Sequence, residues 1–224
     1  MRDVIEYKKE LDRVIERIEK ARLHVDAHHI VKMVAISKYS TSSEIEELYN
    51  IGQRAFGENK VQDLKQKHLE LDDLPLEWHF VGNLQKNKIN NLLSLKPSLM
   101  HSLDSIELAN ELQKKLQAKN QKLNALLQIN SANEKSKSGL HVDEAKDVYE
   151  QISESCPSIN LKGVMSIGAH VDDEKAIKKS FENTYKIYDS LDGATVCSMG
   201  MSSDFELAIK CGSNMVRLGS ILFK

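Results

Sequence analysis

Cysteine, one-signed charge and long apolar runs are all scarce in this chain, and each scarcity removes a class of protein. The 224 residues hold three cysteines, Cys156, Cys197 and Cys211. An odd number with no Cys-x-x-Cys pair argues against a disulfide framework and against a thiolate metal cage, leaving three reduced thiols. Nowhere do eighteen apolar residues run together, and the N-terminal "MRDVIEYKKELDRVIERIEK" is charged every few residues. Neither a membrane span nor a signal peptide is expected, so the protein should be soluble and cytoplasmic. Lys plus Arg (31) nearly cancel Asp plus Glu (33), for a net charge of −2. That balance predicts no nucleic-acid partner and no membrane-surface partner. The one local basic run, "QKNKINN" (85–91), has no interleaved aromatics and reads as a solvated helix start.

Several chemical signatures are missing as well. The eight histidines show no His-Glu-x-x-His or Cys/His spacing, and none is assigned as a metal ligand. No Walker loop and no Ser/His/Asp nucleophile elbow occurs, and no Gly-x-Gly-x-x-Gly follows the first strand.

What is present is alternation. Residues 2–23 carry Val4, Ile5, Leu11, Ile15, Ile18 and Leu23 among charged residues, the pattern of an amphipathic helix. Eight β-type runs follow: 31–37, 54–58, 77–82, 99–104, 124–130, 161–168, 194–200 and 214–222. Helix-like segments lie between them near 42–51, 60–71, 84–95, 105–118, 141–154, 173–190 and 203–211. Thr41-x-x-Glu44, Asp104-x-x-Glu107 and Ser203-x-x-Glu206 have capping-box spacing at three helix starts. Gly52 and Gly212 sit where two of those helices should stop. Pro75, Pro97 and Pro157 each fall just before a strand, where a missing N–H does no harm.

Strands alternating with helices imply right-handed crossovers and a parallel sheet, and eight of them suggest closure into a (β/α)8 TIM barrel. Residues 1–224 then form one domain. Only seven helices follow strands, so the extra N-terminal helix should fill the remaining gap in the outer ring. A doubly wound open sheet is the structural alternative.

In a parallel barrel the C-terminal strand ends share one face, and the binding groups collect there. Those ends offer Ser37 and Lys38, Glu58 and Asn59, His79 and Asn83, Ser102 and Asp104, Asn130 and Asn133, Ser166, Ser202 and Ser203, and Arg217 with Gly219 and Ser220. Behind "VAIS", Lys38 would meet low-dielectric walls that disfavour its charged form and make the amine a carbonyl nucleophile. A lysine that simply snorkels to the surface is the ordinary alternative, and position alone does not separate the two. "SMGMSSDFE" gathers a glycine and two serines at a helix start, as an anion site or as plain capping by Ser203. "VRLGS" puts Arg217 inside a strand, where a guanidinium needs acceptors, from a ligand or from an ion pair with Glu58 or Asp104.

Taken together these segments resemble a known family. "VAISK" (34–38), "FGEN" with Gln62, "WHFVGNLQKNK" (78–88), "HSLDS" (101–105), "QINSANEKSKSG" (128–139), "GVMSIGA" (163–169) and "SMGMSSDFELAIKCGSNMVRLGSILF" (198–223) are similar, in order and spacing, to the YggS/PROSC family of pyridoxal-phosphate homeostasis proteins. The resemblance spans nearly all of the chain after residue 30. It implies a barrel like the N-terminal domain of alanine racemase, with pyridoxal 5′-phosphate as cofactor. It further implies that Lys38 forms the Schiff base, that Ser202, Ser203 and the backbone around Gly219 and Ser220 cradle the phosphate, that Arg217 faces the ring or phosphate, and that Asn59 lies near the ring hydroxyl. Ile36, Ser166 (where threonine is common) and a final Lys224 (where glycine is common) depart from the family pattern without removing a polar group that binding needs. Ser166 is accordingly included in the site.

An arginine facing the pyridine nitrogen can only donate, so the ring becomes a poor electron sink and broad transaminase activity is not expected. Racemisation needs a second proton-transfer group on the face opposite the lysine, which alanine racemase takes from a second domain. Here Tyr39 and His79 are the nearby candidates. The expected function is therefore binding of pyridoxal phosphate, acting in vitamin B6 homeostasis or delivery. An amino-acid racemase is the enzymatic alternative, and a phosphate-ester-binding barrel without a Schiff base the third. The expected partners are the cofactor and, through delivery, apoenzymes that depend on it; the expected state is a monomer.

Overall fold

The computed structural model describes residues 4–134, 138–169 and 171–223, so part of the "QINSANEKSKSG" segment and Lys224 lie outside the described residues. Eight strands carry the architecture: β1 Lys32–Ile36, β2 Ala55–Glu58, β3 Glu77–Phe80, β4 Leu99–Leu103, β5 Leu123–Ile129, β6 Ile159–Ser166, β7 Val196–Ser198 and β8 Met215–Leu218. All pair in parallel with their sequence neighbours, and β1 closes on β8 through Lys32 to Ala35 against Met215 to Leu218. The expected TIM barrel is therefore the observed fold, and the open sheet is not. Behind the strands run α2 Ser42–Asn50, α3 Val61–Glu70, α4 Ile89–Ser94, α5 Ile106–Ala118, α6 Ala145–Ser155, α7 Glu174–Asp189, α8 Phe205–Lys210 and α9 Ser220–Phe223; α1 Val4–Arg22 precedes them all.

Strand alternation splits the apolar residues into two sets, because successive side chains point to opposite faces. Outward residues such as Ala35, Phe56, Phe80, Met100, Leu127, Val164 and Val216 join the helices in the main core. Inward residues Val34, Ala55, Leu99, Leu126, Met165 and Met215 form a separate small cluster inside the barrel. The remaining inward positions are polar, and they matter below.

The N-terminal helix fills the gap as expected, packing against α8, α9 and α2. Its buried stripe is Tyr7, Leu11, Val14, Ile18 and Ala21, whereas Val4, Ile5, Ile15 and Leu23 are exposed. The aliphatic count misjudged the face because Tyr7 and Ala21 belong to it. Tyr7 Oη donates to Glu44 on α2 at 2.9 Å, so this face ends in a hydrogen bond.

Of the three expected capping boxes, only Thr41 with Glu44 forms. At α5 the cap is Ser105, whose hydroxyl accepts from Leu108 N, one residue beyond Asp104. At α8 the cap position is Asp204, not Ser203. Glu206 there is taken by Arg17 of α1 at 2.7 Å, a tertiary ion pair that outcompetes a local box. The expected strand over 214–222 ends at Leu218, and Ser220–Phe223 turns into α9. A short apolar run does not distinguish strand from helix by periodicity, and the change of element creates the cavity rim.

Candidate functional site

At the C-terminal face of the barrel a cavity of about 780 Å³ opens, lined at β1 by Lys38 and Tyr39 and on the far side by Ser202, Ser203, Arg217, Gly219 and Ser220. Asn59 completes the set. Seven of the eight residues assigned to the site from sequence therefore meet in one place. The eighth, Ser166, is fully buried and is not part of the lining. Its hydroxyl accepts from Thr184 on α7 at 2.8 Å, and its carbonyl accepts from Arg217 Nη2 at 2.8 Å. Ser166 therefore meets the cavity through the arginine it holds.

Lys38 is exposed, with Nζ 5.0 Å above the centroid of the Tyr39 ring. The enclosure expected around it is not found, because β1 ends at Ile36 and the lysine lies on the loop past the sheet. Tyr39 is on the lysine's own side of the cavity. His79, the other candidate for a second proton-transfer group, is buried inside the barrel and does not line the cavity.

What anchors the Lys38 loop is a buried ion pair beneath it. Lys67 Nζ donates to Glu58 Oε1 at 2.7 Å and to the Ser37 carbonyl at 2.6 Å, and Ser37 Oγ also donates to Glu58 Oε1 at 2.6 Å. Glu58 is fully buried, and its Oε2 has no hydrogen-bond partner among the described residues. The ends of β1 and β2 are thus tied together next to Lys38 and Asn59. Close backbone approach does the same between β2 and β3: a Cβ on Gly82 would lie 1.9 Å from the Asn59 carbonyl oxygen.

Arg217 sits inside the barrel at its mouth. Nη1 donates to the Ser198 carbonyl at 2.9 Å and to Ser198 Oγ at 2.7 Å, while Nη2 donates to Ser166. Among the described residues no carboxylate pairs with it, so the expected alternatives of an ion pair with Glu58 or Asp104 are both removed. Burial lowers the guanidinium to about 10, with the Asp204 charge opposing that shift. On the opposite rim Ser202 Oγ accepts from Gly219 N at 3.2 Å and from Ile221 N at 3.4 Å, joining the loop after β7 to the start of α9.

Other strand-end candidates serve the loops. Ser102 Oγ donates to the Gly82 carbonyl at 2.6 Å, Asn83 donates to Ser138 at 3.0 Å, and Asn130 donates to the Glu134 carbonyl at 2.8 Å. Among the described residues no group of three or more His, Cys, Asp or Glu side chains could hold a metal ion. Sequence reading missed Lys67, Ser198 and His101. Period-two alternation in "LMHSLD" and "VCSMG" would have pointed His101 and Ser198 inward, beside Arg217; nothing local marked Lys67, which looks like any helix lysine.

The cavity is cationic and hydroxyl-rich at its polar groups, with Ile36, Val81, Met165, Ile167 and Met201 as apolar wall. Among the described residues its only carboxylate, Glu44, is engaged by Thr41 and Tyr7. Such a donor set fits an anionic ester carrying a flat ring and a carbonyl.

The comparisons agree with this chemistry. The alanine racemase N-terminal domain model matches residues 10–224. The pyridoxal phosphate homeostasis protein of Helicobacter pylori is 57% identical over 221 residues, 99% of this chain and all of that protein. The chain belongs to the pyridoxal phosphate homeostasis protein family. The solved structure of Synechococcus elongatus PipY with pyridoxal phosphate bound has a TM-score of 0.80 at 30% identity, covering 93% of this chain and 99% of that one. A Bifidobacterium adolescentis structure described as an unknown protein has a TM-score of 0.91, also at 30% identity, covering 100% and 98%. Among the described residues, no helix is long and apolar enough to cross a membrane.

Proposed function

We propose that the chain, residues 1–224 acting as one domain, binds pyridoxal 5′-phosphate and serves vitamin B6 homeostasis in the cytoplasm, as a monomer that yields the cofactor to dependent apoenzymes. The observation that carries this reading is the convergence of a free amine, a buried guanidinium and a serine-rich rim on one cavity that holds no uncommitted carboxylate. Pyridoxal phosphate supplies an electrophilic aldehyde on a pyridine ring with a phosphate arm. Lys38 Nζ, the primary amine that lines the cavity, would hold the cofactor at that aldehyde. Ser202, Ser203, Gly219 and Ser220 would hold the phosphate through hydroxyl and backbone donors, and Asn59 would meet the ring hydroxyl. Arg217, at the barrel mouth, would donate to the ring nitrogen, with Ser166 and Ser198 holding its guanidinium.

This assignment supports a holder more than a racemase. Tyr39 shares the lysine's side of the cavity and His79 is buried away from it, so neither supplies a proton from the opposite face. A spectrophotometric titration with pyridoxal phosphate tests the reading. Saturable uptake by the native protein and its loss in Lys38→Ala are expected, together with no conversion of L-alanine to D-alanine by the loaded protein. Equal uptake by Lys38→Ala would refute the assignment of Lys38.

A further inference from the structure

Inside the barrel an unbroken polar line runs from the strand N-terminal mouth to the cofactor face. At the bottom, Lys32 and Glu77, the first residues of β1 and β3, form an ion pair. Glu77 Oε1 meets His79 Nε2 at 3.3 Å, and His79 Nδ1 meets His101 Nε2 at 2.8 Å. His101 Nδ1 meets Ser198 Oγ at 3.3 Å, and Ser198 Oγ accepts from Arg217 Nη1 at 2.7 Å. Both histidines and the serine are buried.

Proton counting fixes the direction of this line. A carboxylate can only accept, so His79 carries its proton on Nε2 and, if neutral, leaves Nδ1 as an acceptor. His101 must then donate from Nε2 and accept at Nδ1. Ser198 therefore donates its hydroxyl proton to His101 and keeps a lone pair for Arg217. The opposite tautomer of His101 would leave the Ser198 proton without an acceptor among the described residues and would turn two lone pairs toward each other at Glu77, unless His79 were charged. Burial lowers both imidazoles, His101 further than His79, and the charged groups facing His101 from the surrounding strands are cationic: Arg217 on β8 and Lys32 on β1, besides His79 itself. From Arg217 to His79 every donor thus points from the cofactor face down to Glu77, which Lys32 meets from the other side.

We propose that His79, His101 and Ser198 are positioning residues, a one-way hydrogen-bond chain by which the Glu77 carboxylate fixes the lone pair that grips Arg217 and so sets how Arg217 meets the ring nitrogen. Its second half rests on the cofactor assignment above; its first half does not. The chain also makes Ser198, and not a carboxylate, the partner of Arg217, which keeps the arginine a pure donor without neutralising it.

Two measurements test this. In the cofactor-free protein, ¹⁵N-labelled histidine spectra are expected to show His79 and His101 neutral with both protons on Nε2 at pH 7. A proton on Nδ1 of His101, or a charged His79, overturns the chain. In protein loaded with ring-¹⁵N pyridoxal phosphate, Ser198→Ala is expected to move the ring-nitrogen resonance toward that of a pyridine without a hydrogen bond while uptake persists, and Ser198→Thr to restore it. An unmoved resonance in Ser198→Ala overturns the link to Arg217. A native protein that takes up no pyridoxal phosphate refutes the cofactor assignment and this link with it, while the histidine spectra still decide the chain.

Discussion

Glu58 is the residue whose environment is least forgiving. It is fully buried, its Oε1 serves Lys67 and Ser37, and its Oε2 has no hydrogen-bond partner among the described residues. A pair of buried charges gains little net stability over an apolar replacement, but breaking one by removing a single partner leaves an uncompensated charge and costs about 3–5 kcal/mol. Lys67→Met should lower unfolding free energy by about that much in urea titration, with the double variant Glu58→Gln, Lys67→Met recovering most of it. Because the pair also anchors Ser37, Lys67→Met should weaken cofactor uptake even at temperatures where the fold survives. The sequence exposed only half of this cluster: Glu58 lay at a strand end and was visible as a rim candidate, while Lys67 sat on α3 among "LKQKHLE" with nothing to distinguish it.

At the scale of elements, the joins between strand ends and the following helices hold the cavity together. Thr41 is the one expected capping box that forms, and Thr41→Ala should cost about 1 kcal/mol in a thermal or denaturant melt. Gly82 is a stricter constraint, since any side chain there would overlap the Asn59 carbonyl. Gly82→Ala should destabilise by about 1–3 kcal/mol or more and displace Asn59, reducing uptake. Strand and helix positions were legible because alternation and turn chemistry are local. The caps at Asp104 and Ser203 were misread because the choice of cap is settled by neighbours: Ser105 is one residue better placed, and Glu206 finds Arg17 far away in sequence. The same limit applies to α9, since a short apolar run such as "SILF" does not by itself distinguish strand from helix.

For the whole molecule, the barrel interior couples stability to pH. His79 and His101 have folded-state values below the ordinary 6.5, so the unfolded chain binds more protons as pH falls through 6.5. Glu77, brought down to about 2 chiefly by its hydrogen bond from His79 and then by Lys32, adds the same sign between its ordinary 4.5 and about 2. Stability contributed by these groups is present above neutrality and is lost on acidification. A denaturation series from pH 8 to pH 4 should show falling stability, beginning near pH 6.5, and His101→Gln should flatten the upper part of that slope. A flat profile in the native protein would contradict a neutral buried pair. The eight-strand plan and the gap-filling first helix were readable from order alone; the polar line inside the barrel was not, because it is assembled from one or two residues on each of five strands.

The central claim is that this cavity holds pyridoxal phosphate through Lys38. Its most direct measurement is borohydride reduction of the protein incubated with pyridoxal phosphate, followed by digestion and mass mapping of the labelled peptide. A single adduct on the peptide containing "AISK", at Lys38, is the expected result. Adducts spread over surface lysines with Lys38 unmodified would contradict the account.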